Sequence, residues 1–275
     1  MYRPATADQL LALEVCAGIG ELAESERFAA AEPDMVSAIV EGIGQFAAGE
    51  WAPLNRVGDL EGARLENGFV RLPDGFAEAY AHYVEQGWNA IAAPAEFGGQ
   101  GLPFSLGVNV LENLGTANFA FNLLPMLTTG AIDALEQHGS DAQKALYLPK
   151  MISGEWSGTM NLTEPQAGSD LGALRATASP IEDGDHAGKY RIAGTKIYIT
   201  WGDHELAGNV IHLVLARLPD APEGSRGISL FVVPKYLVNP DGSLGPRNDV
   251  KCVSLEHKLG IHASPTCVMS FGDSN

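Results

Sequence analysis

Two threonines, each closing an alternating run of residues, carry the first chemical signal in this chain. Trp156-Ser157-Gly158-Thr159-Met160 alternates as a strand does and leads into Asn161-Leu162-Thr163-Glu164-Pro165-Gln166-Ala167-Gly168-Ser169-Asp170, a polar, turn-forming segment. A second alternating run, from Lys189, ends at Tyr198-Ile199-Thr200. Two strand ends that each finish on a hydroxyl can set two alcohols and several free main-chain N–H groups around one flat polar ring. The Gly168-Ser169 turn can aim amides at a phosphate, because glycine lets a ligand approach the backbone closely. A flat polar ring joined to phosphates describes a flavin dinucleotide. For either threonine alone a turn cap is the simpler role; the joint pattern points to flavin.

Helices are expected in the first half of the chain. The apolar spacing predicts them over Asp8–Ala17, over Pro33–Glu50 with Pro33 in its first turn, and over Pro73–Gln86 with Gly87 as a stop. Ser105–Gly115 and Phe121–His138 are strongly apolar, and Ser140-Asp141 caps a helix from about Ala142 to Ile152. After Gly154 the pattern changes to short alternating runs at Trp156–Leu162, Arg175–Ser179, Tyr190–Thr200, Asn209–Arg217, Gly227–Pro234 and Thr266–Phe271, separated by Gly, Asp and Pro clusters. The expected fold is therefore α+β and multi-domain. An all-α domain over 1–153 precedes an antiparallel β-barrel domain over 154–275 that carries the ligand sites.

The bulk properties narrow the function. Hydrophobic residues make up 45% of the 275 residues, enough for real cores, and the formal net charge is −17. A chain this acidic does not present a nucleic-acid or anionic-membrane surface, so any anionic ligand must be met by local basic residues. No apolar run reaches membrane-spanning length, Met1-Tyr2-Arg3-Pro4 shows no signal-peptide pattern, and a cytoplasmic protein is expected. The three cysteines, Cys16, Cys252 and Cys267, are scattered, form no C-x-x-C pair and are expected to be buried free thiols. The seven histidines form no H-E-x-x-H or comparable cluster, so no metal site is expected. Gly98-Gly99-Gln100-Gly101 lacks the lysine of a P-loop and reads as a turn between helices. Glu164 and Asp170 invite an acid–base reading, but Pro165 holds Glu164 extended and suits it to shaping the turn.

T-E-P-x-A-G-S-D followed by Y-I-T resembles the flavin-binding core of the acyl-CoA dehydrogenase family, and in particular its large bacterial branch of long-chain and 3-methylmercaptopropionyl-CoA dehydrogenases. Pro94-Ala95-Glu96-Phe97-Gly98-Gly99-Gln100-Gly101 resembles a loop of that family's amino-terminal domain. Leu255-Glu256-His257-Lys258-Leu259-Gly260-Ile261-His262-Ala263-Ser264-Pro265-Thr266 contains its E-x-K-x-G-x-x-x-S-x-T segment.

The resemblance implies FAD as cofactor and α,β-dehydrogenation of an acyl-CoA to the trans-2-enoyl-CoA. Met160, Leu162 and Thr163 then lie at the pyrimidine edge of the flavin, Tyr198 and Ile199 over its face, and Thr200 near N5. Gly168 and Ser169 lie at the pyrophosphate, with Ser169 also on the substrate side. Ser225-Arg226-Gly227 and the stretch Lys258 to Thr266 are candidates for CoA, with Arg226 or Lys258 at its phosphates; Asn122, Thr128 and Thr129 are candidates for the acyl tunnel. The partners implied are the acyl-CoA and an electron-transfer flavoprotein, with no nucleic acid and no membrane insertion. The complete protein is expected to be a homo-oligomer. The family's carboxy-terminal helical bundle, which carries the catalytic glutamate, would follow Asn275. No catalytic residue is therefore expected within 1–275, and this stretch alone is expected to be inactive. Two alternatives stay open: a non-catalytic assembly subunit or truncated product, and an acyl-CoA oxidase or flavin monooxygenase of the same fold.

Overall fold

A computed structural model describes residues 2–273; Met1, Ser274 and Asn275, at the outer limits of the two expected domains, lie outside the described residues. The helical half contains α1 (Thr6–Val15), α2 (Ile19–Ala23), α3 (Pro33–Phe46), α4 (Ala52–Glu61), α5 (Phe76–Glu85), α6 (Phe104–Ala117), α7 (Phe119–His138) and α8 (Asp141–Ile152). A single π-helical turn, Ala47–Trp51, joins α3 to α4. A short hairpin that the sequence pattern did not reveal, β1 (Arg64–Glu66) with β2 (Phe69–Arg71), sits between α4 and α5. Ser140 caps α8 through a full capping box with Gln143.

The strands of the second half are β3 (Trp156–Asn161), β4 (Thr177–Pro180), β5 (Tyr190–Thr200), β6 (Asn209–Arg217), β7 (Ile228–Pro234), β8 (Tyr236–Val238), β9 (Leu244–Arg247), β10 (Val250–Leu255) and β11 (Thr266–Phe271). Seven of them form one sheet in the order β10-β11-β5-β4-β6-β3, with β7 on the other flank of β6. Most pairings are antiparallel, but β3 runs parallel to β6 with Trp156 opposite Asn209. The reason is topological: β4 and β5 are laid down between them, so β6 returns in the direction of β3. The sheet curls until β3, at the end of the path, comes back against β5, and this curl brings the two strand ends together.

Helices and sheet share a core. Gly158 lets α7 close onto β3, since a Cβ there would stand 2.5 Å from Ala131 Cβ, and the Gly158 amide donates to Thr128 Oγ1 at 3.1 Å. Trp201, fully buried, donates its indole N–H to the Ala120 carbonyl at 3.2 Å. Its ring stacks on Phe121 at 6.1 Å, and Phe121 stacks on Trp51 at 4.0 Å. An aromatic column thus runs from the π-turn to the end of β5. Cys252 and Cys267 are buried as expected, whereas Cys16 is exposed at the end of α1, where no core covers it. No helix among the described residues is long and apolar enough to cross a membrane.

A second seam joins α4 to the loop before β11. His262 Nδ1 lies 2.8 Å from the Asp59 carbonyl and 3.1 Å from its carboxylate, and Nε2 lies 2.8 Å from the Lys258 carbonyl. With acceptors at both nitrogens, the ring satisfies them fully only as imidazolium. The hydrogen bonds to Asp59 and Lys258 accordingly raise its pKa, against burial and the Lys258 charge. The stabilisation is complete below the unfolded value of about 6.5 and is lost as pH rises through the elevated folded value. The melting temperature of the wild type should therefore decline as pH rises above neutrality, and His262→Gln should remove that part of the slope. An unchanged slope in the variant would assign it to other groups.

Candidate active site

The two strand ends meet across the curl. The Thr163 carbonyl accepts the Ile197 amide at 2.9 Å. Thr159 Oγ1 donates to the Thr200 carbonyl at 2.7 Å, and Lys196 Nζ donates to the Leu162 carbonyl at 3.0 Å. Met160, Leu162, Thr163 and Thr200 are each half-buried along the joined rims. Tyr198 stands on a bulge: the pairing of β5 with β11 slips between Cys267 and Met269, and Tyr198 has φ 59°. Strict alternation would put Tyr198 on the same face as Lys196. The bulge instead turns Tyr198 outward, 59% exposed, and sends Ile199 into the core at 2%. Ile199 therefore reaches the rim through its main chain, not its side chain.

Glu164 sits beneath the first rim, 4% exposed. One of its oxygens accepts Lys196 Nζ at 2.8 Å and the Ala176 amide at 3.0 Å; the other accepts the Arg175 amide at 2.7 Å and Gln166 Nε2 at 2.6 Å. Burial pushes this carboxyl up, but Lys196 and the two amides outweigh burial and hold it below the usual carboxylate range. Burial also drags the Lys196 ammonium down, against the pull of Glu164. The carboxylate, with four donors converging on it, is the better determined member of the pair, and its charge keeps the ammonium with it. A carboxylate this fully engaged folds the turn and is not a base.

That turn carries Gly168 and Ser169, both exposed; a Cβ on Gly168 would meet nothing within 4 Å, so the surface over it is open. The structure brings the other candidate pair alongside. A Cβ on Gly172 would stand 3.5 Å from Gly224 Cα and 3.6 Å from the Ser225 nitrogen, so Ser225, exposed like Arg226, borders the Leu171–Ala173 turn that follows Ser169 and Asp170 in the chain. Arg217 welds the two. It donates to the carbonyls of Leu174 at 3.0 Å, Gly172 at 2.6 Å, Pro222 at 3.0 Å and Gly224 at 2.8 Å. Gly227 has to be glycine here, since a Cβ would lie 1.8 Å from the Pro222 carbonyl oxygen.

Other candidates lie elsewhere or are already engaged. Lys258 turns inward to the Ser264 carbonyl. Thr128 bonds Leu124 and the Gly158 amide, tying α7 to β3. Asn122 is buried, and Thr129 lines a cavity of about 80 Å³ between α6, α7 and the Trp88–Pro94 segment. Ser157 and His204 are 2.8 Å apart but form no nucleophile–base pair. His204 Nδ1 accepts the Leu206 amide at 3.1 Å, so Nε2 carries the proton and donates to Ser157. Burial, with the Lys235 and His212 charges, pushes His204 down to about 3. Among the described residues no group of three or more metal-ligating side chains converges.

Two family descriptions match in chain order: acyl-CoA dehydrogenase, N-terminal domain, over residues 34–155, and acyl-CoA dehydrogenase, middle domain, over residues 159–274. The chain belongs to the acyl-CoA dehydrogenase family. It is 51% identical over 273 residues to the 3-methylmercaptopropionyl-CoA dehydrogenase of Ruegeria pomeroyi, covering 99% of this chain and 46% of that protein. Its fold matches butyryl-CoA dehydrogenase of Megasphaera elsdenii at TM-score 0.68 and 23% identity, over 88% of this chain and 56% of that one. It also matches an acyl-CoA dehydrogenase of Bacillus anthracis complexed with FAD at TM-score 0.66 and 22% identity, over 88% and 36%. The chain thus spans about half or less of the length of these relatives. Both rims of the chain fall in the middle-domain match, and the Pro94–Gly101 loop falls in the N-terminal match. Sequence reading missed the residues that assemble the site, namely Lys196, Arg217 and Trp201. Lys196 alone left a trace, as a lysine on the inward parity of an alternating strand.

Proposed function

We propose that this chain forms the flavin- and thioester-binding part of an enzyme that oxidises an acyl-CoA to its trans-2-enoyl-CoA. The observation that carries the reading is the junction of the two rims, with the Thr163 carbonyl on the Ile197 amide at 2.9 Å. The residues fit FAD. A partly open double rim ends in two hydroxyls, an outward tyrosine stands at its edge, and an uncovered glycine turn follows the first rim. Bound FAD supplies the hydride acceptor that no side chain can provide.

In this reading Met160, Leu162 and Thr163 hold the pyrimidine edge by main-chain donors and the Thr163 hydroxyl. Thr200 orients the accepting side of the ring, Tyr198 covers its face, and Ile199 lends main chain only. Gly168 and Ser169 meet the pyrophosphate. Ser225 and Arg226, with Ser169, meet the phosphates of the acyl-CoA, where charge-assisted bonds offset the acidity of the whole chain. The proton next to the thioester is taken by a glutamate outside these residues, since Glu164 is saturated. Electrons leave to an electron-transfer flavoprotein, and the complete enzyme is a homo-oligomer.

The test is a titration of the purified protein with FAD, followed by acyl-CoAs of graded length that include 3-methylmercaptopropionyl-CoA. Thr163→Ala and Thr200→Ala should each weaken FAD binding about five- to ten-fold, the worth of one hydrogen bond. Bleaching of the oxidised-flavin band by an acyl-CoA under anaerobic conditions supports dehydrogenation. Turnover that consumes oxygen would reassign the chemistry to an oxidase or monooxygenase, and a wild type that binds no FAD would end the reading.

A further inference from the structure

We infer that Lys196 is a positioning residue for the flavin, acting through the peptide between Leu162 and Thr163; the inference rests on the flavin reading above. Lys196 is fully buried and its ammonium holds two groups of the opposite rim, the Glu164 carboxylate at 2.8 Å and the Leu162 carbonyl at 3.0 Å. The peptide unit is planar and no cis bond occurs among the described residues, so a carbonyl and the following N–H point in opposite directions. Drawing the Leu162 carbonyl inward onto Lys196 therefore turns the Thr163 N–H outward, toward the open side of the rim. The next peptide is fixed independently, with the Thr163 carbonyl on the Ile197 amide and the Glu164 amide on the Ala167 carbonyl at 3.0 Å. The donor offered to the flavin edge thus takes its direction from a buried side chain on the other rim. An apolar residue of similar length would fill the space under the rim but leave the Leu162 carbonyl without a donor and its peptide free to rotate.

The pair also holds the fold, so the experiment must separate the two roles. Lys196→Met alone leaves the Glu164 charge buried without its partner and is expected to lose both thermal stability and FAD affinity. The double variant E164Q/K196M removes both charges. Its melting temperature should lie clearly above that of Lys196→Met, since no unpaired charge stays buried although the amide can accept from only one of Arg175 and Ala176, while its FAD dissociation constant stays at least ten-fold weaker than wild type. Its bound flavin should show a shifted visible band and a more negative reduction potential. Recovery of affinity, spectrum and potential together with stability overturns the proposal and leaves the pair a scaffold element only. A measurement on the wild type needs no variant: the Thr163 amide should exchange with solvent freely in the FAD-free protein and become protected once FAD is bound. Protection before FAD is added, or none after, also overturns it. Failure of the wild type to take up FAD is read in its own arm and removes the flavin reading, whereas failure of the double-variant or exchange result with FAD bound removes only the role of Lys196.

Discussion

Trp201→Ala should lower the free energy of unfolding by about 3–5 kcal/mol, the range for emptying a buried tryptophan site. Trp201 is wholly buried, stacks on Phe121 and bonds the Ala120 carbonyl, while its own amide donates to the Pro265 carbonyl at 2.7 Å. It directly follows Thr200 and has φ 53°, a left-handed backbone that its buried ring must stabilise. Losing the ring opens a cavity at the top of the aromatic column and frees the second rim, so weaker flavin binding should accompany the loss of stability. For a chain of this size the melting temperature should fall by about 10 °C. Trp201→Phe keeps most of the stack and gives up the indole hydrogen bond, and should cost about 1 kcal/mol. Denaturant unfolding of the two variants checks this; a loss below 1 kcal/mol for alanine would mean that the column does not hold the rim.

Arg217→Met should cost about 2–3 kcal/mol, because four carbonyls lose a charged donor in a partly buried place. Water can replace the bonds to Pro222 and Gly224, which lie near the surface, and this keeps the loss below the sum of four. The functional loss should be larger than the stability loss suggests. With the weld gone, the Gly172 and Gly224 turns part, and Ser225 and Arg226 lose their fixed place beside the Leu171–Ala173 turn. Binding of both FAD and acyl-CoA should weaken by more than ten-fold in calorimetric titrations, whereas Arg226→Met should weaken acyl-CoA alone. Equal effects of the two variants on both ligands would show that Arg217 contributes no more than surface charge.

The contrast between what could be read from the chain and what could not is physical. β5, β6 and β11 have the limits that alternation gave them, because each has an inward face that must be apolar. α8 was legible from its cap. α4 was not: it carries Pro53 and Gly58 and only Gly58 is buried, so no apolar stripe marks it. β10 was missed because its bulge between Cys252 and Ser254 breaks the period of two. The same effect hid the facing of Tyr198 and Ile199, since one extra residue in β5 exchanges inside and outside. The threonine ends and glycine turn could be found because local sequence determines them. Lys196, Arg217 and Trp201 act on partners far away in the chain, and no local pattern announces such a contact.

The closure of β3 onto β5 has a consequence for synthesis on the ribosome. The bonds that join the rims link residues 34 and 41 apart in sequence, and β5 is completed on its other side only by β11, which follows all the other strands in the chain. Such distant pairings are slow to form and come after local helices. The helical half can therefore fold while the two rims are still apart, and their junction is among the last parts of the molecule to exist. On the proposed flavin reading, a vitamin-derived cofactor supplied early would find no receptor; supplied late, it would meet a finished one and trap the curl shut.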